Sequence, residues 1–380
     1  MDRESWVWGL PGRLKPPTAA EEAVASLPSG GVRKVLLALA LAAGMLLAIE
    51  LALQVRSQVV SGDSIFTVLL AEPRYVVDPE TGLQLLNPNR VFTTNGVTVR
   101  TNSLGLRSGE VLPVRSPGSW RLAVVGASTV MGAYDADNDQ TFPARLEQRL
   151  RHDFPDRQVE VINAGIVGFG LEEEQAMLER RIAPLKPDLT IVYTGFNDFL
   201  EYCREAHGKG ADGHGLPLLS LPSWLMSVDM LKKNTVFLRT SAVRHGGTRD
   251  PEGVSLEPYR AKLEAMIKGA EARGMRLVFT TNAKSYRRDQ PLDEQMRLSE
   301  TDRYYTHCFD LNGLHVLYDR HNALIREVAT THGIPVIALD EMVPGGDRYF
   351  ADSHHFSAEG EALVANALAA FILRRQLLPD

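Results

Sequence analysis

From Val35 to Leu53 the chain reads VLLALALAAGMLLAIELAL, a run whose only ionisable residue is Glu50. About 19 residues at roughly 1.5 Å rise each come close to the ~30 Å of a bilayer's hydrocarbon core. Arg33 and Lys34 flank its amino end, with Arg13 and Lys15 further upstream, a bias that keeps the N-terminus in the cytoplasm and sends the rest of the chain outside. Residues 35–55 are therefore expected to be a single-pass transmembrane signal-anchor, with residues 1–34, punctuated by Pro11, Pro16, Pro17 and Pro28, as a loosely ordered cytoplasmic tail. A cleaved signal peptide is the rival reading. The segment ahead of the run is long for its charged region, and no clear A-x-A site follows. A buried soluble helix is the third. Glu50 lies near the far end, where it reaches the interface or meets a partner helix.

Residues 56–118 hold short alternating pieces broken by turn signals. VFTTNGVTVRTNS has the pattern of a hairpin around Asn95-Gly96, as Asn-Gly favours the tight turn that matches strand twist. This segment is expected to be a β-rich extension packed beside the main domain. From Arg121 the rhythm becomes strand–helix alternation. Leu122–Val125, Val159–Ile162, Leu189–Tyr193, Leu277–Thr281 and Val336–Leu339 predict strands. Phe142–Arg151, Leu171–Leu185, Pro258–Arg273, Ala323–His332 and Ala358–Arg374 predict helices. Most of these strands are apolar without polar alternation, as strands covered on both faces are. Residues 119–380 are thus expected to form an α/β domain, a mostly parallel five-stranded sheet between helices, with active residues outside the carboxyl ends of the strands. An insertion over 200–255, rich in Gly, Pro and His, interrupts the rhythm. A lid or acyl-binding wall and plain packing are both compatible with it.

A net charge of −6 over 380 residues, not gathered into acidic blocks, gives no electrostatic reason to expect nucleic acid as a partner. The two cysteines, Cys203 and Cys308, form an even count compatible with one disulfide or with two buried thiols.

Four motifs each follow a predicted strand. Gly126-Ala-Ser128 follows the first, Asn163-Ala-Gly-Ile-Val-Gly168-Phe-Gly the second, Gly195-Phe-Asn197-Asp198 the third and Asp352-Ser-His-His355 the fifth. A serine hydroxyl is a weak nucleophile and needs a neighbouring base, which in turn needs a carboxylate to hold its tautomer. Alone, each motif reads as a turn, a helix cap or polar loop chemistry. In this order, each at a strand end on one edge of a parallel sheet, they supply all the parts of serine-based acyl transfer.

Here the chain resembles the SGNH (GDSL-type) hydrolase family over roughly Arg121 to Arg374, with all four family blocks in order. Asn102-Ser-Leu-Gly-Leu-Arg107 is similar to the extension of membrane-anchored bacterial members. The resemblance implies a three-layer α/β/α sandwich of flavodoxin-like type, with Ser128 as nucleophile, His355 as general base and Asp352 orienting it. It also implies an oxyanion hole built from the backbone N–H groups of Ser128 and Gly168 and the side-chain amide of Asn197. No cofactor and no metal are called for. One position departs from the family: its Gly-Asp-Ser block is Gly126-Ala127-Ser128 here. That aspartate is not the family's triad carboxylate, so the proposed triad stays complete.

Three further readings accompany this one. His354 is a second candidate base, although the spacing from Asp352 favours His355. Asp347, Asp352, His354 and His355 form a candidate metal cluster without the usual ligand spacing. Tyr134, Phe199 and Tyr202 are near the motifs in sequence, as pocket lining or as core. The expected function is a membrane-anchored ester hydrolase acting outside the cytoplasm, at a bacterial inner membrane. Its partners would be an acyl-ester substrate, the membrane through residues 35–55, and possible company from a membrane protein. The alternatives are an O-acyltransferase or deacetylase acting on cell-surface carbohydrate, and an inactive structural subunit of a membrane complex.

Overall fold

Val124 and Val125 are neighbours on one strand, so their side chains point to opposite faces, and both are fully buried. That strand lies at the heart of the computed structural model, which describes residues 29–61, 73–94, 96–112, 114–206, 225–228, 230, 247 and 249–379. Residues 1–28 of the tail expected over 1–34, Asn95 of the expected hairpin turn and most of the expected insertion over 200–255 lie outside the described residues, and residues 29–34 of that tail are helical. The chain divides into two units, Met1–Leu53 and Gln54–Asp380.

Helix α1 (Ser29–Ser61) is one uninterrupted run of 33 residues, about 50 Å long at 1.5 Å per residue. Leu36, Leu39, Leu46 and Leu51 are all exposed along it, and it is long and apolar enough to cross a membrane.

In the second unit, β1 (Tyr75–Val77) pairs antiparallel with β2 (Gln84–Leu86), and β3 (Val91–Thr94) with β4 (Val97–Arg100). Thr94 stands opposite Val97, so the hairpin closes through two residues, as its Asn-Gly pair predicts. The main sheet has five strands, β5 (Trp120–Gly126), β6 (Val159–Gly165), β7 (Leu189–Tyr193), β8 (Leu277–Thr280) and β9 (Val336–Ile337), in the order β6-β5-β7-β8-β9. All neighbouring pairs are parallel. Because β5 is followed by β6 on one side and β7 on the other, strand order reverses at β5, which opens a crevice at its carboxyl end.

The helices of the sandwich are α2 (Ser128–Met131), α3 (Phe142–Asp153), α4 (Leu171–Met177), α5 (Phe199–Ala206), α6 (Glu257–Glu271), α7 (Leu292–Leu298), α8 (Glu300–Tyr305), α9 (Leu311–Thr331), α10 (Leu339–Met342) and α11 (Ala358–Arg374). Leu122, Val124, Val161 and Ile191 pack under α3 and α11, against Leu146 and Leu368. Ala123, Val125, Ile162 and Val192 face the other way, into a core with residues of α4, α6 and α9. Leu86, Val99 and Leu106 of the lead-in belong to that second core, so the β-rich extension shares the domain's apolar interior.

Some boundaries differ from the sequence reading. The strand expected to reach Leu339 stops at Ile337, and Leu339 opens α10. The helix expected over Leu171–Leu185 is α up to Met177, then widens into a π turn over Leu178–Ile182 and tightens into a 3-10 turn ending at Leu185. Leu178 and Ile182 are both fully buried, so the wide turn keeps the apolar contacts going to the core. The helix expected from Ala323 begins at Leu311, capped by the Asp310 carboxylate, which accepts from Gly313 N–H. Its first half buries Leu314, Leu317 and Tyr318 at helical spacing, and the buried polar pair His321 and Asn322 interrupts that stripe ahead of Leu324. Helices α7 and α8 carry too many polar residues to show in that periodicity.

Candidate active site

Ser128 stands at the exit of β5, as the first residue of α2. A first helical residue has no partner for its N–H within the helix, so that donor faces outward with the hydroxyl. Helix α2 lies close against the sheet. A Cβ on Gly165, at the end of β6, would collide with the backbone of Val130 and Met131, so glycine there is what lets the helix settle. The carbonyls at the far end of α2 are taken by Arg107. Its fully buried guanidinium donates to Met131 O at 3.2 Å, to Gly132 O, to Asp135 O at 2.9 Å and to Thr98 O at 3.0 Å. The last residue of the Asn102–Arg107 motif thereby fixes the turn that presents Ser128.

His355 Nε2 lies 2.8 Å from Ser128 Oγ, and His355 Nδ1 lies 2.8 Å from Asp352 Oδ2. Asp352 Oδ1 accepts from the backbone N–H groups of His354 and His355, at 3.0 and 2.8 Å. Burial works against the Asp352 charge. The hydrogen bond from His355 and the nearby imidazoles outweigh it and hold the carboxyl well below the usual range. His355 is moved down from its ordinary value by burial first and by neighbouring His354 second, with Asp352 pulling the other way. Tyr134, half-exposed, sets its ring 5.0 Å from that of His355. Burial, then the Asp352 charge, push its phenol up to about 12.

Asn197 sits on a 3-10 turn, Phe196–Asp198, directly after β7. Its Nδ2 donates one hydrogen to Phe169 O at 2.7 Å, and the amide has a second to offer. Gly168 immediately precedes Phe169 at φ +83°, a backbone region that suits glycine. A Cβ at Gly168 would meet open space, so backbone handedness and not crowding selects the glycine. Asp198 has a different task. Its carboxylate accepts from Leu171 N–H at the start of α4 and lies 3.8 Å from Lys262 Nζ. Burial, opposed by Lys262, pushes it up to about 7. Ala127, Ser128, Phe169, Thr194, Asn197 and His354 line one cleft. Gly168 lies on the exposed turn beside it.

Phe199 and Tyr202 are core residues, whereas Tyr134 is at the site. Asp352, His354 and His355 lie close enough together to share an ion, but Asp352 and His355 are engaged with one another, and Asp347 pairs with Arg297 at 2.7 Å. His354 has a carboxylate partner of its own. Its Nδ1 lies 2.6 Å from Asp302 Oδ1. Sequence reasoning did not foresee Asp302, because it is remote from the motifs and sits in a short polar helix. Cys203 and Cys308 form a disulfide closing a separation of 105 residues.

The GDSL-like lipase/acylhydrolase family model matches residues 124–363. Among solved structures, the lipase/acylhydrolase from Enterococcus faecalis is 19% identical, with a TM-score of 0.42 over 67% of this chain and 96% of that one. An acetyl xylan esterase variant from Geobacillus stearothermophilus is 14% identical, with a TM-score of 0.43 over 71% of this chain and 99% of that one. A member of the lipolytic protein G-D-S-L family from Veillonella parvula DSM 2008 is 14% identical, with a TM-score of 0.41 over 67% of this chain and all of that one. No curated protein matches the chain.

Proposed function

The chain belongs to the GDSL-like lipase/acylhydrolase family and is an ester-bond hydrolase, and on that premise we propose that Ser128 is its nucleophile, served by His355 and Asp352. Ser128 Oγ attacks the ester carbonyl as its proton passes to His355 Nε2. Asp352 keeps the proton of His355 on Nδ1 and stabilises the imidazolium that forms. The carbonyl oxygen, now negative, accepts hydrogen bonds from Ser128 N–H, Gly168 N–H and Asn197 Nδ2–H. As the tetrahedral intermediate collapses, the alcohol leaves with the proton from His355. Water, deprotonated by the same imidazole, then releases the acid and regenerates the serine.

The observation that carries this reading is the unbroken chain from Ser128 Oγ to His355 and on to Asp352, with both contacts at 2.8 Å. Ser128→Ala in the full-length chain, purified in detergent, is expected to abolish hydrolysis of a short p-nitrophenyl ester. Wild-type activity in that variant would remove the assignment. Product analysis with a sugar acceptor separates hydrolysis, which yields free acid only, from transfer, which yields acylated sugar.

We further propose that α1 anchors the enzyme in a bacterial inner membrane, with the catalytic domain outside the cytoplasm. Two observations support it: the exposed apolar surface of α1 above Arg33 and Lys34, and the Cys203–Cys308 disulfide, a bond of oxidising compartments. Protease added to intact spheroplasts should digest the catalytic domain; complete protection would overturn the orientation.

A further inference from the structure

His354 lies next to the proposed base in sequence, and its ring centroid is 4.2 Å from that of His355. It is buried, and it stacks on Phe196 with centroids 3.9 Å apart. Its Nδ1 meets Asp302 Oδ1 at 2.6 Å. His354 also lines the cleft beside Ser128 and Asn197.

Asp302 is fully buried. Its Oδ2 accepts from the Tyr286 and Tyr318 hydroxyls, at 2.8 and 3.0 Å. The loop carrying His354 is docked onto α7 and α8. Asp302 N–H donates to Ser353 Oγ, which in turn donates to Leu298 O at 2.7 Å. A buried carboxylate needs a counter-charge, since hydrogen bonds from neutral groups do not replace its hydration in full. The two tyrosines are neutral. Lys284 stands over their ring faces, 5.6 and 4.9 Å from the centroids, and not at the carboxylate. Among the described residues bonded to Asp302, His354 is the group that can carry the charge.

We propose that Asp302 and His354 form a second histidine–carboxylate pair that fixes a positive charge beside His355, and that this charge sets the acid limit of ester hydrolysis by resisting protonation of the base. His354 is thus a positioning residue that acts through His355, and the inference rests on the triad reading above. The groups facing His354 are Asp302 of α8, with Tyr286 and Tyr318 behind it, Asp352 and His355 on its own loop, and Phe196 from the turn after β7. Lys284 lies beyond the tyrosines. Burial pulls His354 down, but Asp302 outweighs it and the net direction is upward. His355 moves down, in part because of His354. Both directions agree with the geometry.

The test is the pH profile of kcat/KM for the full chain, wild type against His354→Gln and Asp302→Asn. Both substitutions remove the positive charge, the second by taking away its counter-ion. The acid limb should move to higher pH by about half a unit or more, while the plateau above pH 8 stays within a few-fold of wild type. Limbs that superimpose, or move to lower pH, overturn the inference, as does a plateau loss with the limb unmoved. Fluorophosphonate labelling at pH 8 separates the two levels: a wild-type chain that takes no label loses the triad reading itself, whereas labelled chains with unmoved limbs lose only the role of His354. Should both variants fail to fold, 15N-histidine spectra of the wild type decide. An imidazolium at His354 at pH 7 supports the pair, and a neutral ring there overturns it.

Discussion

The guanidinium of Arg107 donates to the carbonyl of Gly132, at the end of the helix that Ser128 begins. The lead-in and the proposed nucleophile are therefore one mechanical unit. Arg107→Met leaves several buried carbonyls without a donor and should lower unfolding free energy by about 3 kcal/mol. Denaturant melts check this, and kcat should fall with the loosened turn. A variant with wild-type midpoint and wild-type kcat would show that Arg107 holds nothing.

Asp352→Asn keeps the shape of the loop but offers His355 Nδ1 an amide in place of a charge. A drop in kcat of about 10³ to 10⁴ is expected, at a KM within a few-fold of wild type. Steady-state kinetics on a soluble ester measures both, and a loss below tenfold would detach Asp352 from the base.

Asn197→Ala removes one of the proposed oxyanion donors and also the bond from Nδ2 to Phe169 O. The expected loss is about 10² to 10³ in kcat. If KM rises and kcat holds, Asn197 is a binding residue and the donor set must be redrawn.

As the proposed base, His355 must be neutral to accept the serine proton. Since burial and His354 place His355 below its ordinary 6.5, it stays neutral as pH falls past 6.5, and kcat/KM should decline only below that point. A profile whose acid limb lies above pH 7 would contradict this environment.

Cys203 and Cys308 close a loop separated by 105 residues. Replacing both with serine restores chain entropy to the unfolded state and should cost about 2–5 kcal/mol. Thermal melts with and without reductant provide the reading; the wild type should lose stability on reduction, and the double variant should be indifferent.

How much of this was legible in the sequence depends on how far apart the partners stand. Asp352 and His355 are three residues apart, and their backbone and side-chain bonds are local, so the motif contains its own geometry. The strands were legible because both faces of β5 are buried, which leaves an apolar run with no alternation. The first half of α9 is harder to read because buried His321 and Asn322 interrupt the apolar stripe that runs from Leu314, Leu317 and Tyr318 to Leu324 and Ile325, with His321 Nε2 lying 2.9 Å from Tyr202 Oη. Asp302 and His354 are 52 residues apart, and nothing near either one names the other. The cysteine pairing needed a Cα separation of 5.5 Å, a fact of the folded chain.

Gly165 offers no hydrogen-bonding side chain, no charge and no reactive atom. Yet α2 rests on it so closely that one added carbon would strike Val130 and Met131. In a saturation-mutagenesis map scored by activity, position 165 should therefore be nearly as intolerant as position 128, whereas exposed Val167, two residues on, accepts most replacements. Ranked by intolerance alone, that glycine would pass for a catalytic residue.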